Sequence, residues 1–239
     1  MKTKPRAIGS VMRYNEGMIS RYVFYDLSTL RSGYGLNKNL DKSIRPSYNI
    51  SPTALAPVVV SYGGVNVVKP MKWGLVAKGS KDTNSVFRYK TYNIPSEKVF
   101  QRHSWELAVR ESRCLVAANG FYRLSVDSES ASHYIYPENK ELLYFAGIYG
   151  QWEDAKGITY GTFSILTSRA ANGVHSSGGR TPIVIKRGDE ERWLDPGVVD
   201  TNSIYDMMRP FPEGFLASHR VSPEIKSVKL NRSSLIDPV

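Results

Sequence analysis

Two short β-branched runs, Val58-Val59-Val60 and Val65-Asn66-Val67-Val68, flank Gly63-Gly64. Branching at Cβ favours extended backbone, and paired glycines supply the positive φ angles of a tight hairpin turn. This predicts a hairpin over Pro57–Lys69 and commits the chain to antiparallel sheet. Strand-like runs recur at Arg21–Tyr25, Cys114–Ala118, Phe121–Val126, His133–Tyr136, Leu142–Tyr149, Ile158–Thr167 and Thr181–Ile185. Helical spacing predicts a helix over Ser96–Arg110, entered through Pro95, and shorter ones at Asp189–Leu194 and Asn202–Met208. Asp26 or Ser28 is placed to cap a short helix that ends near Gly33 or Gly35. Many strands of uneven spacing with a few helices between them predict an α+β fold, its mostly antiparallel sheet curved into a barrel-like form. No linker or repeat divides the chain. The expected organisation is a polar, basic and flexible extension at residues 1–17 and one domain over residues 18–239.

Composition narrows the function. Among 239 residues, 32 Lys and Arg outnumber 22 Asp and Glu, a net charge of +10 that favours a polyanion partner. The one cysteine, Cys114, excludes an internal disulfide and any cysteine-cluster zinc site; inside Leu115-Val116-Ala117-Ala118 it reads as a buried small hydrophobe. The four histidines, His103, His133, His175 and His219, are far apart, so no metal and no other cofactor is expected. Ser176-Ser177-Gly178-Gly179-Arg180 lacks the spacing of a phosphate loop, and there is no Gly-x-Ser-x-Gly elbow. With no apolar run long enough to span a bilayer and no signal-like leader, a soluble cytoplasmic monomer without membrane contact is expected.

Several stretches in order carry a resemblance. They are Arg45-Pro46-Ser47-Tyr48-Asn49-Ile50-Ser51-Pro52-Thr53, Met71-Lys72-Trp73-Gly74-Leu75-Val76, Asn93-Ile94-Pro95-Ser96-Glu97 and Arg113-Cys114-Leu115-Val116-Ala117-Ala118-Asn119-Gly120-Phe121-Tyr122. Phe145-Ala146-Gly147-Ile148-Tyr149, Arg180-Thr181-Pro182-Ile183-Val184-Ile185 and Trp193-Leu194-Asp195 follow. Together they resemble the SOS-response-associated peptidase (SRAP) family, the abasic-site processing proteins, from Met18 nearly to the end of the chain. The resemblance implies binding of DNA that is single-stranded, abasic or at an ss/ds junction, with a nucleoid association when bound. It also implies a reaction in which the α-amine of an N-terminal cysteine attacks the ring-opened abasic aldehyde. The thiol of the same residue then closes a thiazolidine, an intramolecular second attack that traps a reversible imine.

The family's opening Met-Cys-Gly-Arg-Tyr corresponds to Met18-Ile19-Ser20-Arg21-Tyr22, so Ile19 holds the nucleophile position behind 17 further residues. The glutamate of Gly-Phe-Tyr-Glu-Trp corresponds to Arg123, with Leu124 in place of the Trp. The family's asparagine is retained as Asn93, and its histidine falls on His175 by the shorter spacing or on Gly178 by an ungapped count. No thiol, no free amine and a cation in place of a carboxylate predict that the crosslink is lost, because an arginine cannot serve as general acid or base. For DNA, the resemblance puts Arg21, Arg123 and Arg180 at phosphates, the alternative for Arg21 and Arg180 being solvated surface arginines. Trp73 either stacks on a base or sits in the core. Enzymatic alternatives remain a Schiff-base lyase using Lys90, or an amine exposed by proteolysis; a third reading is an interaction module that no longer binds DNA.

Overall fold

The computed structural model describes residues 18–33, 41–77, 79–124, 131–169, 179–210 and 214–239. The expectation for residues 1–17 therefore lies outside the described residues, as do His175 and Gly178. The chain opens with β1 (Tyr22–Phe24), α1 (Leu27–Gly33), β2 (Ser47–Ile50), β3 (Leu55–Tyr62) and β4 (Val65–Trp73). It continues through α2 (Asn84–Tyr89), β5 (Asn93–Pro95), a 3₁₀ turn (Ser96–Gln101), α3 (His103–Glu111), β6 (Arg113–Ala118) and β7 (Gly120–Arg123). Next come β8 (His133–Pro137), β9 (Leu143–Glu153), β10 (Thr159–Arg169), β11 (Arg180–Pro182), α4 (Glu190–Leu194), α5 (Thr201–Met207) and β12 (Leu216–Arg220). The 3₁₀ turns Pro223–Lys226 and Ser233–Ile236 follow.

β3 and β4 form the predicted hairpin, with Val59 opposite Val68 and Gly63 and Gly64 at φ 59° and 80°. β3 pairs with β6, β6 with β9 and β9 with β10, all antiparallel. β10 then pairs in parallel with β4, at Thr162–Lys72 and Phe163–Trp73, and so closes a five-stranded barrel. Closure leaves no free edge among those five strands and lets their inward side chains form one apolar interior. β5 and β11 add to β10, parallel and antiparallel respectively. The second sheet, in the order β2-β1-β7-β8-β12, is antiparallel throughout.

Two features join the sheets. Tyr22 of β1 sets its ring edge-on to Trp73 at 5.1 Å and to Phe145 at 6.0 Å. Asn119 links β6 to β7 and turns the chain from barrel to sheet; its Oδ1 accepts from the amides of Tyr25 (2.7 Å) and Asp26 (3.2 Å). Gly120 follows because a Cβ there would lie 2.5 Å from the Ile135 carbonyl oxygen. The outer face of the second sheet carries Val23, Tyr122 and Tyr134, which Val221, Ile225 and Leu235 of the C-terminal segment cover. Arg113, 4% exposed at the head of β6, donates to the carbonyls of Val109, Arg110, Trp193 and Asp195. It thereby satisfies carbonyl groups left over at the ends of α3 and α4.

Two local expectations need correction. The helix predicted over Ser96–Arg110 is split at Arg102, which is extended at φ −120° and ψ 122°. Val99 and Val109 are both fully buried, and in one continuous helix they would point about 80° apart. The strand predicted over Thr181–Ile185 stops at Pro182, which has no amide hydrogen to continue a ladder. Beyond it the chain crosses between strands: Ile183 donates to Leu166 of β10 and accepts from Ala146 of β9, and Ile185 donates to Tyr144. Asp26 does cap α1, its Oδ1 accepting from the Thr29 amide at 2.9 Å.

Candidate functional site

The segment Met18–Arg21 runs into β1 beside the end of β7. The antiparallel register Tyr22–Phe121 and Val23–Gly120 continues as a bond from the Tyr122 amide to the Arg21 carbonyl (3.0 Å), which brings Arg123 alongside the residues before β1. Met18, Ile19, Arg123, Leu124, Arg180 and Thr181 line a pocket of about 20 Å³, room for a water molecule but not for a base. Asn93, at the start of β5 and 4% exposed, donates from Nδ2 to the Ile19 carbonyl at 2.5 Å. Its Oδ1 is shielded and accepts no hydrogen bond. The fold thus gathers Ile19, Asn93, Arg123 and Arg180 from four separate parts of the sequence.

At the position where the resemblance expects the nucleophile stands a hydrocarbon. Ile19 is 2% exposed, and its nitrogen is a peptide nitrogen with no free lone pair for imine formation. Cys114 offers no substitute, being fully buried in β6 with its thiol pushed well up by that burial. Arg123 is half-buried, and its Nη2 is shielded from solvent without a hydrogen-bond partner. Burial lowers its pKa from the ordinary arginine value, yet an arginine side chain stays charged at any working pH.

Arg180 is held on three sides. Its Nε donates to Thr167 Oγ1 at 2.9 Å, and its Nη2 donates to the Thr167 carbonyl at 2.6 Å and to Glu97 Oε2 at 2.7 Å. Glu97 and Thr167 were not singled out as functional residues from sequence. Glu97 stands four residues after Asn93 in a stretch that carries the resemblance, which is the one signal that points to it.

Two of the residues expected at DNA are fully buried. Trp73 ends β4 and is fully buried, its Nε1 donating to the Tyr92 carbonyl at 2.7 Å. With Tyr22 and Tyr92 packed edge-on, it has no open face for a base and belongs to the core alternative. Arg21 is also fully buried, with Nη1 donating to the Ser20 carbonyl at 2.7 Å, so it is not a solvated surface arginine. Among the described residues, no cluster of three metal-ligating side chains occurs and no helix is long and apolar enough to cross a membrane.

A barrel with a second sheet packed against it, and a small pocket at the start of β1, define the class. The model of the family "SOS response associated peptidase (SRAP)" matches residues 18–228, and the chain belongs to that family. It is 26% identical over 195 residues to the abasic site processing protein YoqW of Bacillus subtilis, covering 80% of this chain and 86% of that one. It is also 30% identical over 227 residues to the abasic site processing protein HMCES of Gallus gallus, covering 82% and 67%. A crystal structure of a protein from Bacteroides thetaiotaomicron shares the fold at a TM-score of 0.74 and 19% identity, covering 94% of this chain and 98% of that one. A phage-related protein from Bordetella bronchiseptica aligns at a TM-score of 0.64 and 21% identity, covering 84% and 93%.

Proposed function

We propose that this protein serves a DNA-damage-related function as a binder of single-stranded or abasic DNA and does not form the covalent crosslink. Family membership and the names of the relatives support the first part. One observation carries the second: Ile19, with neither thiol nor free amine, stands at the nucleophile position. Arg123 in the glutamate position points the same way, since a permanent cation can attract phosphate but cannot shuttle a proton. In this reading Arg123 and Arg180 meet phosphates, Asn93 holds the residues before β1 in place, and residues 18–239 act as one unit.

The test mixes the protein with abasic single-stranded DNA and compares native with denaturing gels, with and without borohydride. A native shift that disappears on denaturation is expected. A borohydride-dependent adduct would instead indicate a lyase that uses an amine such as Lys90, and an adduct stable without reductant would overturn the reading. Absence of any shift at low salt would leave an interaction module. Conversely, a chain begun at Met18 with Ile19→Cys and Arg123→Glu is expected to gain a denaturation-resistant adduct, because methionine removal then exposes a cysteine amine and thiol together. Failure of that variant to crosslink while folded would mean that the pocket has diverged at further positions.

A further inference from the structure

A second cavity, of about 750 Å³, opens where α1, the turn between β8 and β9 and the segment after β11 meet. It shares no lining residue with the pocket beside Ile19, and its volume lies in the range of ligand sites. Its wall is apolar, formed by Leu142, Leu143, Tyr144, Val184, Ile185 and Phe215. Leu143, Val184 and Ile185 are buried members of the main core, so this wall is fixed by the fold. The strand edge behind it is already occupied: Ala146 donates to the Ile183 carbonyl and Ile185 to the Tyr144 carbonyl. A ligand here is therefore held by apolar contact and not by adding a strand.

The carboxylates that line the cavity are engaged: Glu141 with Arg187 at 2.8 Å, Glu190 with the Gly188 amide at 2.6 Å, and Asp26 with the Thr29 amide. Arg209 pairs with Asp206 at 2.6 Å. Lys140 and Lys186, each next in sequence to a member of the Arg187–Glu141 pair, are exposed and join no ion pair among the described residues. Lys140 also holds φ 57°, a left-handed conformation that glycine or asparagine adopts more readily. Strained positions of this kind gather at binding sites, and this one sets a free ammonium beside an apolar opening. We propose that the cavity docks the end of a partner polypeptide in which acidic residues precede one or two bulky apolar ones. The apolar side chains fill the cavity, and the carboxylates meet Lys140 and Lys186 at its rim. A nucleic-acid strand suits the site less: Asp26, Glu141 and Glu190 oppose a phosphate at every nucleotide, and an apolar wall leaves base edges unpaired.

Fluorescence anisotropy with a labelled peptide, Asp-Asp-Asp-Leu-Phe with a free C-terminus, tests the site, with Asp-Asp-Asp-Gly-Ser as control. Saturable binding is expected for the first peptide and not for the second. Lys140→Gly combined with Lys186→Glu is expected to weaken it about tenfold. Lys140→Gly alone is expected to unfold in urea at a midpoint no lower than wild type, because glycine relieves the positive φ, so its loss of binding is not a loss of fold. Leu142→Asp, at a half-buried position of the wall, is expected to weaken binding as well. Absence of saturable binding, equal binding of the Gly-Ser peptide, or folded variants that bind as wild type does would each overturn the proposal. Competition covers the other occupants. Phenylbutyrate that displaces the peptide at equal concentration would assign the cavity to a small acid, and displacement by single-stranded DNA would assign it to the DNA interface; either result overturns the peptide site.

Discussion

Arg169 and Arg180 stand directly opposite each other in the β10–β11 register, an arrangement that is unfavourable for like charges unless an anion intervenes. Glu97 is that anion. Its partial burial raises the pKa, but the hydrogen bond from Arg180 and the charges of Arg180 and Arg169 outweigh this and hold it below the ordinary range. A carboxylate with a depressed folded pKa contributes stability above its unfolded value, about 4.3 for glutamate, and loses it as pH falls through the folded value. Glu97→Gln is therefore expected to cost about 1 kcal/mol or less near neutrality, the pair being partly exposed. The gap from wild type is expected to close below about pH 4, and urea unfolding of both proteins across pH measures it. A gap that persisted in acid would place the effect in packing instead of charge. Individual residues were unevenly legible. Cys114 read correctly as buried because its own neighbours are apolar. Trp73 and Arg21 could not be decided from theirs, since what buries them comes from elsewhere in the chain.

Local elements were clear where backbone chemistry is decisive. Gly63 and Gly64 adopt the positive φ angles that the hairpin requires, and the flanking valines pair as their branching predicts. The break at Arg102 and the shortened β11 were not legible, because they answer to neighbours in space. β12 was missed for a further reason: Leu216-Ala217-Ser218-His219-Arg220 lacks an apolar alternation and pairs only with β8. Gly120, by contrast, is constrained by a carbonyl of β8 that cannot move without breaking its ladder. Gly120→Ala is expected to destabilise the protein by about 2–3 kcal/mol, seen as a lower midpoint in urea. An unchanged midpoint would show that the β7–β8 spacing relaxes freely.

Over the full chain, two apolar clusters hold the molecule: the barrel interior, shared with β1, and the tyrosine-rich outer face under the C-terminal segment. Leu235 is 1% exposed in the second cluster. Leu235→Ala is expected to cost about 2–4 kcal/mol, and denaturant titration would show whether that segment unfolds with the rest or ahead of it. On the proposed reading, DNA affinity measured by anisotropy is expected to fall steeply with salt, given the net charge of +10. Side-chain chemistry is carried by each residue alone, so the excess of cations, the isoleucine at position 19, the arginine at position 123 and the ordered family motifs were all present before any fold was known. Burial and closure are collective. That β10 meets β4 in parallel to seal a barrel, that Trp73 and Arg21 end buried, and that Ile19, Asn93, Arg123 and Arg180 are gathered beside β1 all depend on segments far apart in the chain being packed together.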